Sequence, residues 1–143
     1  MRLSTKARYG TRAILDLAMH YGEGPILIRD IAQRQGISKK YLEQIIAALK
    51  GAGLVKSFRG AHGGYALARD PASIKMSEVV QALEGPLTLV ECLEDPSICS
   101  RAPYCVAMEV WARVNRAMLD ALDSLTLQDL VDRQIRKGLG YGI

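Results

Sequence analysis

The apolar residues of this chain keep helical spacing as far as Leu49 and then change period, and that change constrains the fold more than any other feature. Ser4 or Thr5 can cap a first helix running to about Tyr21, in which Ile14, Leu17, Ala18 and Tyr21 share a face. Gly22-Glu23-Gly24-Pro25 breaks it. A short helix with Ile28, Ile31 and Ala32 spaced for burial ends at Gly36. Ser38 caps a third helix, whose stripe is Leu42, Ile45, Ile46 and Leu49 and which stops at Gly51 and Gly53. Residues 54–59 then read as a strand, Gly60-Ala61-His62-Gly63-Gly64 as a backbone-permissive turn, and residues 65–68 as the returning strand. Ser77 is expected to cap one more short helix, burying Val79, Val80 and Leu83, before Gly85-Pro86. That order of elements predicts a mainly α fold with a small β wing, a winged helix-turn-helix domain over residues 1–85.

Residues 86–105 read as a loop of mixed chemistry. Pro103 suits the first position of a long helix reaching about Ser124. Within it Met108, Trp111, Asn115, Met118, Leu122 and Leu125 alternate steps of three and four, the heptad seam of a coiled coil with one asparagine in it. Such a helix, about 30 Å long, cannot bury both ends against so small a domain and predicts a dimerisation element. Thr126-Leu127-Gln128-Asp129 resembles the cap of a last helix, so residues 103–137 are read as dimerisation helix plus terminal helix and residues 138–143 as a flexible tail. A length of 143 residues suits one small domain with that appended element, and 49% hydrophobic residues exclude a disordered chain. No window approaches the ~20 uncharged apolar residues of a membrane span. Asp16 interrupts the stretch where a signal peptide would have its apolar core, so the cytoplasm is the expected location.

Charge divides the chain. Residues 1–70 carry 12 Lys and Arg against 5 Asp and Glu, a net of +7, whereas residues 71–143 carry 7 against 10, a net of −3. The basic half therefore suits a polyanion. At the start of the third helix stand Ser38, Lys39, Lys40, Tyr41, Glu43 and Gln44, where a recognition helix meets the major groove. Lys39 and Lys40 suit phosphates, Gln44 an adenine edge and Glu43 a cytosine amino group. A carboxylate repels phosphate, so Glu43 makes sense as a selector among bases. Arg59 and His62 lie around the glycines of the wing, and an arginine on a narrow hairpin suits the minor groove. Two lysines on a helix are commonly a solvated surface, and a glycine-rich hairpin is commonly only a turn; the combination in this order is what points to double-stranded DNA. No nucleophile–base pair, phosphate loop or pair of carboxylates stands on a recognisable catalytic scaffold, so an enzyme is not expected.

All three cysteines, Cys92, Cys99 and Cys105, cluster as C-x6-C-x5-C. Three thiols cannot all pair within one chain, and in a reducing compartment they are ligands or free thiols rather than a disulfide framework. A helix start at Cys105 favours thiolate, the form that binds soft metals and iron–sulfur clusters. The spacing is wider than the C-x2-C knuckle of a structural zinc site, which ranks a cluster before zinc and zinc before a disulfide switch.

The segments from Met1 to Tyr9, from Ile37 to Gln44 and from Arg59 to Tyr65 together resemble the Rrf-two family of bacterial winged-helix regulators, which includes the iron–sulfur cluster regulator IscR, nitric-oxide-responsive NsrR and iron-responsive RirA. The resemblance spans nearly the whole chain. It implies a homodimer whose long helix crosses to the partner, with residues 38–44 in the major groove and Arg59 in the minor groove of a DNA operator. It also implies a cluster, 4Fe–4S or 2Fe–2S, on Cys92, Cys99 and Cys105. The fourth ligand departs from the family pattern: Met108 stands where IscR-like members have histidine, and Arg8 where NsrR-like members have aspartate. Glu109, Glu91, Glu94 and Asp95 are the nearby alternatives, with Met108 also serving the apolar seam. The expected function is a homodimeric transcription regulator sensing iron, redox state or nitric oxide. The alternative is a regulator of the same fold without a cluster, sensing through thiol oxidation or a protein partner.

Overall fold

The structure, a computed structural model, describes residues 2–138. Among them run helices α1 (Thr5–Met19), α2 (Ile28–Gln35) and α3 (Lys39–Gly51), strands β1 (Val55–Phe58) and β2 (Gly64–Leu67), and helices α4 (Met76–Glu84), α5 (Glu91–Glu94), α6 (Val106–Asp123) and α7 (Leu127–Lys137). The architecture is mainly helical with a two-stranded antiparallel wing, as the periodicity predicts.

Ser4 and Ser38 cap their helices as read from the sequence. The Ser4 side chain accepts from the Ala7 N–H at 3.0 Å, and the Ser38 side chain from the Tyr41 N–H at 3.2 Å. Gly36 ends α2 with φ +65°, a left-handed conformation that costs a side chain about 1 kcal/mol or more. The α3 stripe of Leu42, Ile45, Ile46 and Leu49 is wholly buried. Each such side chain contributes roughly 1.5–3 kcal/mol, and together they fix which face α3 turns outward. α1 is the hub, packing on α2, α3, α4, α7 and β2.

The wing has Val55 opposite Leu67 and Phe58 opposite Gly64. The segment before α2 adds a bridge to it, Ile26 and Tyr65 exchanging both backbone hydrogen bonds at 2.8 Å. That exchange needs glycine at position 64, where a Cβ would collide with the Ile26 carbonyl.

Several boundaries differ from the sequence expectation. α1 ends at Met19, and Tyr21 lies beyond it, 49% exposed. Ser77 does not cap α4. The cap lies two residues earlier, at Lys75, whose N–H donates to Glu78 Oε2 at 2.8 Å, and the helix begins at Met76. Ser77 is instead buried and donates to Asp123 of α6. The 86–105 loop contains α5 and two single 3₁₀ turns, Pro96–Ile98 and Ala102–Tyr104. Pro103 belongs to the second of these, and α6 starts only at Val106 with Cys105 as its cap residue.

The seam is the largest correction. Asn115 is the buried residue of α6, and its Oδ1 accepts from the Leu89 N–H at 2.8 Å. Met118 and Leu122 line a groove with Leu3, Val80, Leu87 and Leu89 of the same chain. This stripe therefore faces inward for half its length. The exposed apolar residues of α6 are Val106, Val110 and Val114, spaced by four, with Trp111 beside them. α7 returns to the head: Leu127 and Val131 enter the same core as α1 and α3, and the Leu127 N–H bonds the Ile74 carbonyl at 2.8 Å. Its cap is the reciprocal Thr126–Asp129 pair, at 2.9 and 3.1 Å. The tail expected from residue 138 lies, after Gly138, outside the described residues.

Candidate functional site

The buried stripe of α3 leaves Ser38, Lys39, Lys40, Glu43 and Gln44 exposed on one outward surface in its first two turns. Among the described residues neither lysine, nor Glu43, nor Gln44 has an ion pair or side-chain hydrogen bond. Tyr41 is placed differently: it is half-buried and meets Tyr9 of α1 edge to face, ring centroids 6.2 Å apart. Its ring fixes α3 against α1 as well as bordering the exposed surface. Arg59 and His62 stand exposed in the loop between β1 and β2. Chemically, this is an array of unneutralised cations with an exposed amide and carboxylate on a helix start, and an arginine on a neighbouring hairpin. Backbone N–H groups at the same helix start add an anion-favouring field.

A buried polar cluster that sequence reasoning missed holds α1 and α2 in this pose. Asp16 is fully buried and accepts from Arg34 Nε at 2.9 Å, from Arg34 Nη2 at 2.7 Å and from Gln35 Nε2 at 3.0 Å. Gln35 in turn accepts from Arg12, through its side-chain oxygen at 3.2 Å and through its backbone carbonyl. The hydrogen bond to Asp16, against a smaller opposing effect of burial, raises the Arg34 pKa above its ordinary value. Gln35 immediately precedes the Gly36 turn, so the cluster sets where the turn between α2 and α3 begins. The available signal was a lone carboxylate on the apolar face of α1.

The cysteines lie off the core. Cys92 is half-buried in α5, Cys99 is exposed after the turn Pro96–Ile98, and Cys105 is half-buried before α6; all three are free thiols. Cys105, Met108 and Glu109 line one open cleft between the turn Ala102–Tyr104 and α6. Glu91, Glu94 and Asp95 are exposed and do not line that cleft. Among the described residues no three His, Cys, Asp or Glu side chains converge closely enough to hold a metal ion. The donor chemistry thus suits a soft metal or an iron–sulfur cluster, three accessible thiols on one short segment, while their placement in this conformation is open.

Comparison with known proteins gives a consistent answer. The family model described as Rrf2, iron-dependent transcriptional regulator, matches residues 3–133. The protein rrf2 of Nitratidesulfovibrio vulgaris is 48% identical over 131 residues, 92% of this chain and 87% of its own. Among solved structures, the global cysteine regulator CymR of B. subtilis aligns with a TM-score of 0.78 at 43% identity, covering 93% of this chain and 98% of its own. IscR of T. potens aligns with a TM-score of 0.76 at 44% identity, covering 93% and 88%. Among the described residues no helix is long and apolar enough to cross a membrane. The chain belongs to the Rrf2 family, and it is a DNA-binding transcription regulator of the winged helix-turn-helix kind, not an enzyme.

Proposed function

We propose that this regulator is a homodimer that reads a DNA operator through α3 and the wing, and that Cys92, Cys99 and Cys105 tune its grip by holding an iron–sulfur cluster. The observation that carries the sensing half is the concentration of every cysteine of the chain in one 14-residue segment joined directly to α6. When bound, the group would supply sensitivity to iron supply, oxidants and nitric oxide. Glu109 and Met108 share the Cys105 cleft and are favoured for the remaining position over Glu91, Glu94 and Asp95.

The chain's own contacts give such a segment leverage. The Leu89 N–H is hydrogen-bonded to Asn115, three residues before Cys92, so the segment is tied to the middle of α6. The Ser77–Asp123 bond then ties α6 to α4, which packs on α1 and α3. A change of shape in the cysteine segment can therefore bias the pose of α6, and with it the spacing of two heads across a dimer. The exposed Val106, Val110, Trp111 and Val114 surface supports a partner helix there. In the heads, Lys39 and Lys40 neutralise phosphates, Gln44 and Glu43 discriminate bases, and Arg59 enters the minor groove with His62 alongside.

The second reading, the same fold without a cluster, is favoured by the open placement of the three thiols and by the likeness to a cysteine regulator. Protein purified without oxygen and supplied with iron and sulfide separates the two. The cluster reading expects stoichiometric iron and acid-labile sulfide, lost in Cys92→Ala, Cys99→Ala and Cys105→Ala. Colourless wild-type protein without bound iron would establish the second reading.

A further inference from the structure

Helix α1 carries a cation that the recognition surface of α3 does not account for. Arg8 and Arg12 both lie over the Tyr9 ring, their guanidinium carbons 5.7 and 5.5 Å from its centroid. Tyr9 in turn abuts Tyr41, in the first turn of α3. The pair of arginines therefore sits beside the end of α3 that carries Ser38, Lys39 and Lys40. Their situations differ. Arg12 is half-buried and engaged by both oxygens of Gln35, which makes it a strut between α1 and α2. Arg8 is exposed, has no carboxylate partner among the described residues, and its side chain's hydrogen bond there is a long one to Thr5 Oγ1, at 3.5 Å.

We propose that Arg8 is a second DNA-backbone contact of each head: a phosphate clamp on α1, held on Tyr9, that grips the strand flanking the groove entered by α3. A guanidinium stacked on a ring keeps its planar fork free for a phosphate and loses less freedom on binding than an unsupported lysine. The ring gives it a fixed address relative to α3, which a solvated surface cation lacks. Its ligand is the phosphate and not a base edge, because Arg8 stands on the supporting helix and the positions facing the groove are occupied by α3. The inference rests on the docking of α3 proposed above.

The test titrates the full-length protein against a mixed-sequence DNA duplex over a range of salt concentrations. Arg8→Ala is expected to weaken binding about tenfold at low salt. It should flatten the dependence of log affinity on log salt by about 0.9 for each protomer bound, with an unchanged melting temperature. Arg8→Lys should retain the slope. Lys39→Ala and Lys40→Ala serve as the control for the docking itself. If these flatten the slope and Arg8→Ala does not, the clamp is wrong and the docking stands. If none of the three changes the slope, the docking fails and the clamp falls with it.

Discussion

Asp16 is the residue on which the pose of the reading head turns. Removing its carboxylate leaves a partly buried guanidinium and a buried amide without their acceptor, a situation that typically costs about 3 kcal/mol or more. Asp16→Ala should therefore lower the unfolding free energy obtained from a urea titration by that amount, while Lys39→Ala, on the exposed surface, changes it by no more than about 0.5 kcal/mol. The sequence shows Asp16 as a charge on an apolar stripe. It cannot show Arg34 and Gln35 as its partners, because a contact 18 or 19 residues away depends on how α1 crosses α2. Glu43 is the opposite case. It is legible from sequence as an exposed carboxylate on a basic helix, and its environment agrees. Glu43→Ala is expected to relax base preference at one operator position by roughly 1–3 kcal/mol of discrimination, measured by selection from a randomised duplex pool. Unchanged preference would remove it from the reading surface.

At the level of elements, α1, α2, α3 and the hairpin were legible because each has a clean period and a glycine or serine at its ends. The wing depends on one contact that was not legible, the Ile26–Tyr65 bridge, since pairing between a loop and a strand leaves no periodic trace. Gly64→Ala should push the wing off this bridge and weaken DNA binding through Arg59, with faster amide exchange at Tyr65 as the direct readout. The helix caps make a pH prediction. Burial opposes ionisation of Glu78, but its hydrogen bonds from the Lys75 backbone and from Arg69 prevail and lower its pKa. Asp129 is lowered by its bonds from Thr126. A carboxylate with a lowered pKa in the folded chain stabilises it above the unfolded value, and that contribution is lost as pH falls through the folded value. Acid unfolding monitored by circular dichroism should thus be less steep in a Glu78→Gln variant than in the parent. The long helix was legible in extent but not in orientation. A heptad pattern marks an apolar face without saying whether a partner or the chain's own loop covers it, and here Asn115, Met118 and Leu122 face their own chain.

Across the whole molecule, a basic head and an acidic remainder are joined through α6, whose outward valines and tryptophan remain uncovered in the single chain. Val110→Lys should convert a dimer to a monomer in sedimentation experiments without lowering the melting temperature of the head, because Val110 is 50% exposed and outside the core. The cysteine segment is the part where sequence said most about chemistry and least about shape: it shows three soft donor atoms gathered in 14 residues, whereas closing them around a group is a property of the loop's conformation. The most direct measurement is the DNA affinity of one anaerobic preparation supplied with iron and sulfide, before and after chelation or nitric oxide, alongside Cys99→Ala treated identically. The account predicts a clear change in affinity for the parent protein and none for the variant. Equal affinity in all four samples would contradict the claim that the cysteine segment governs the grip on DNA.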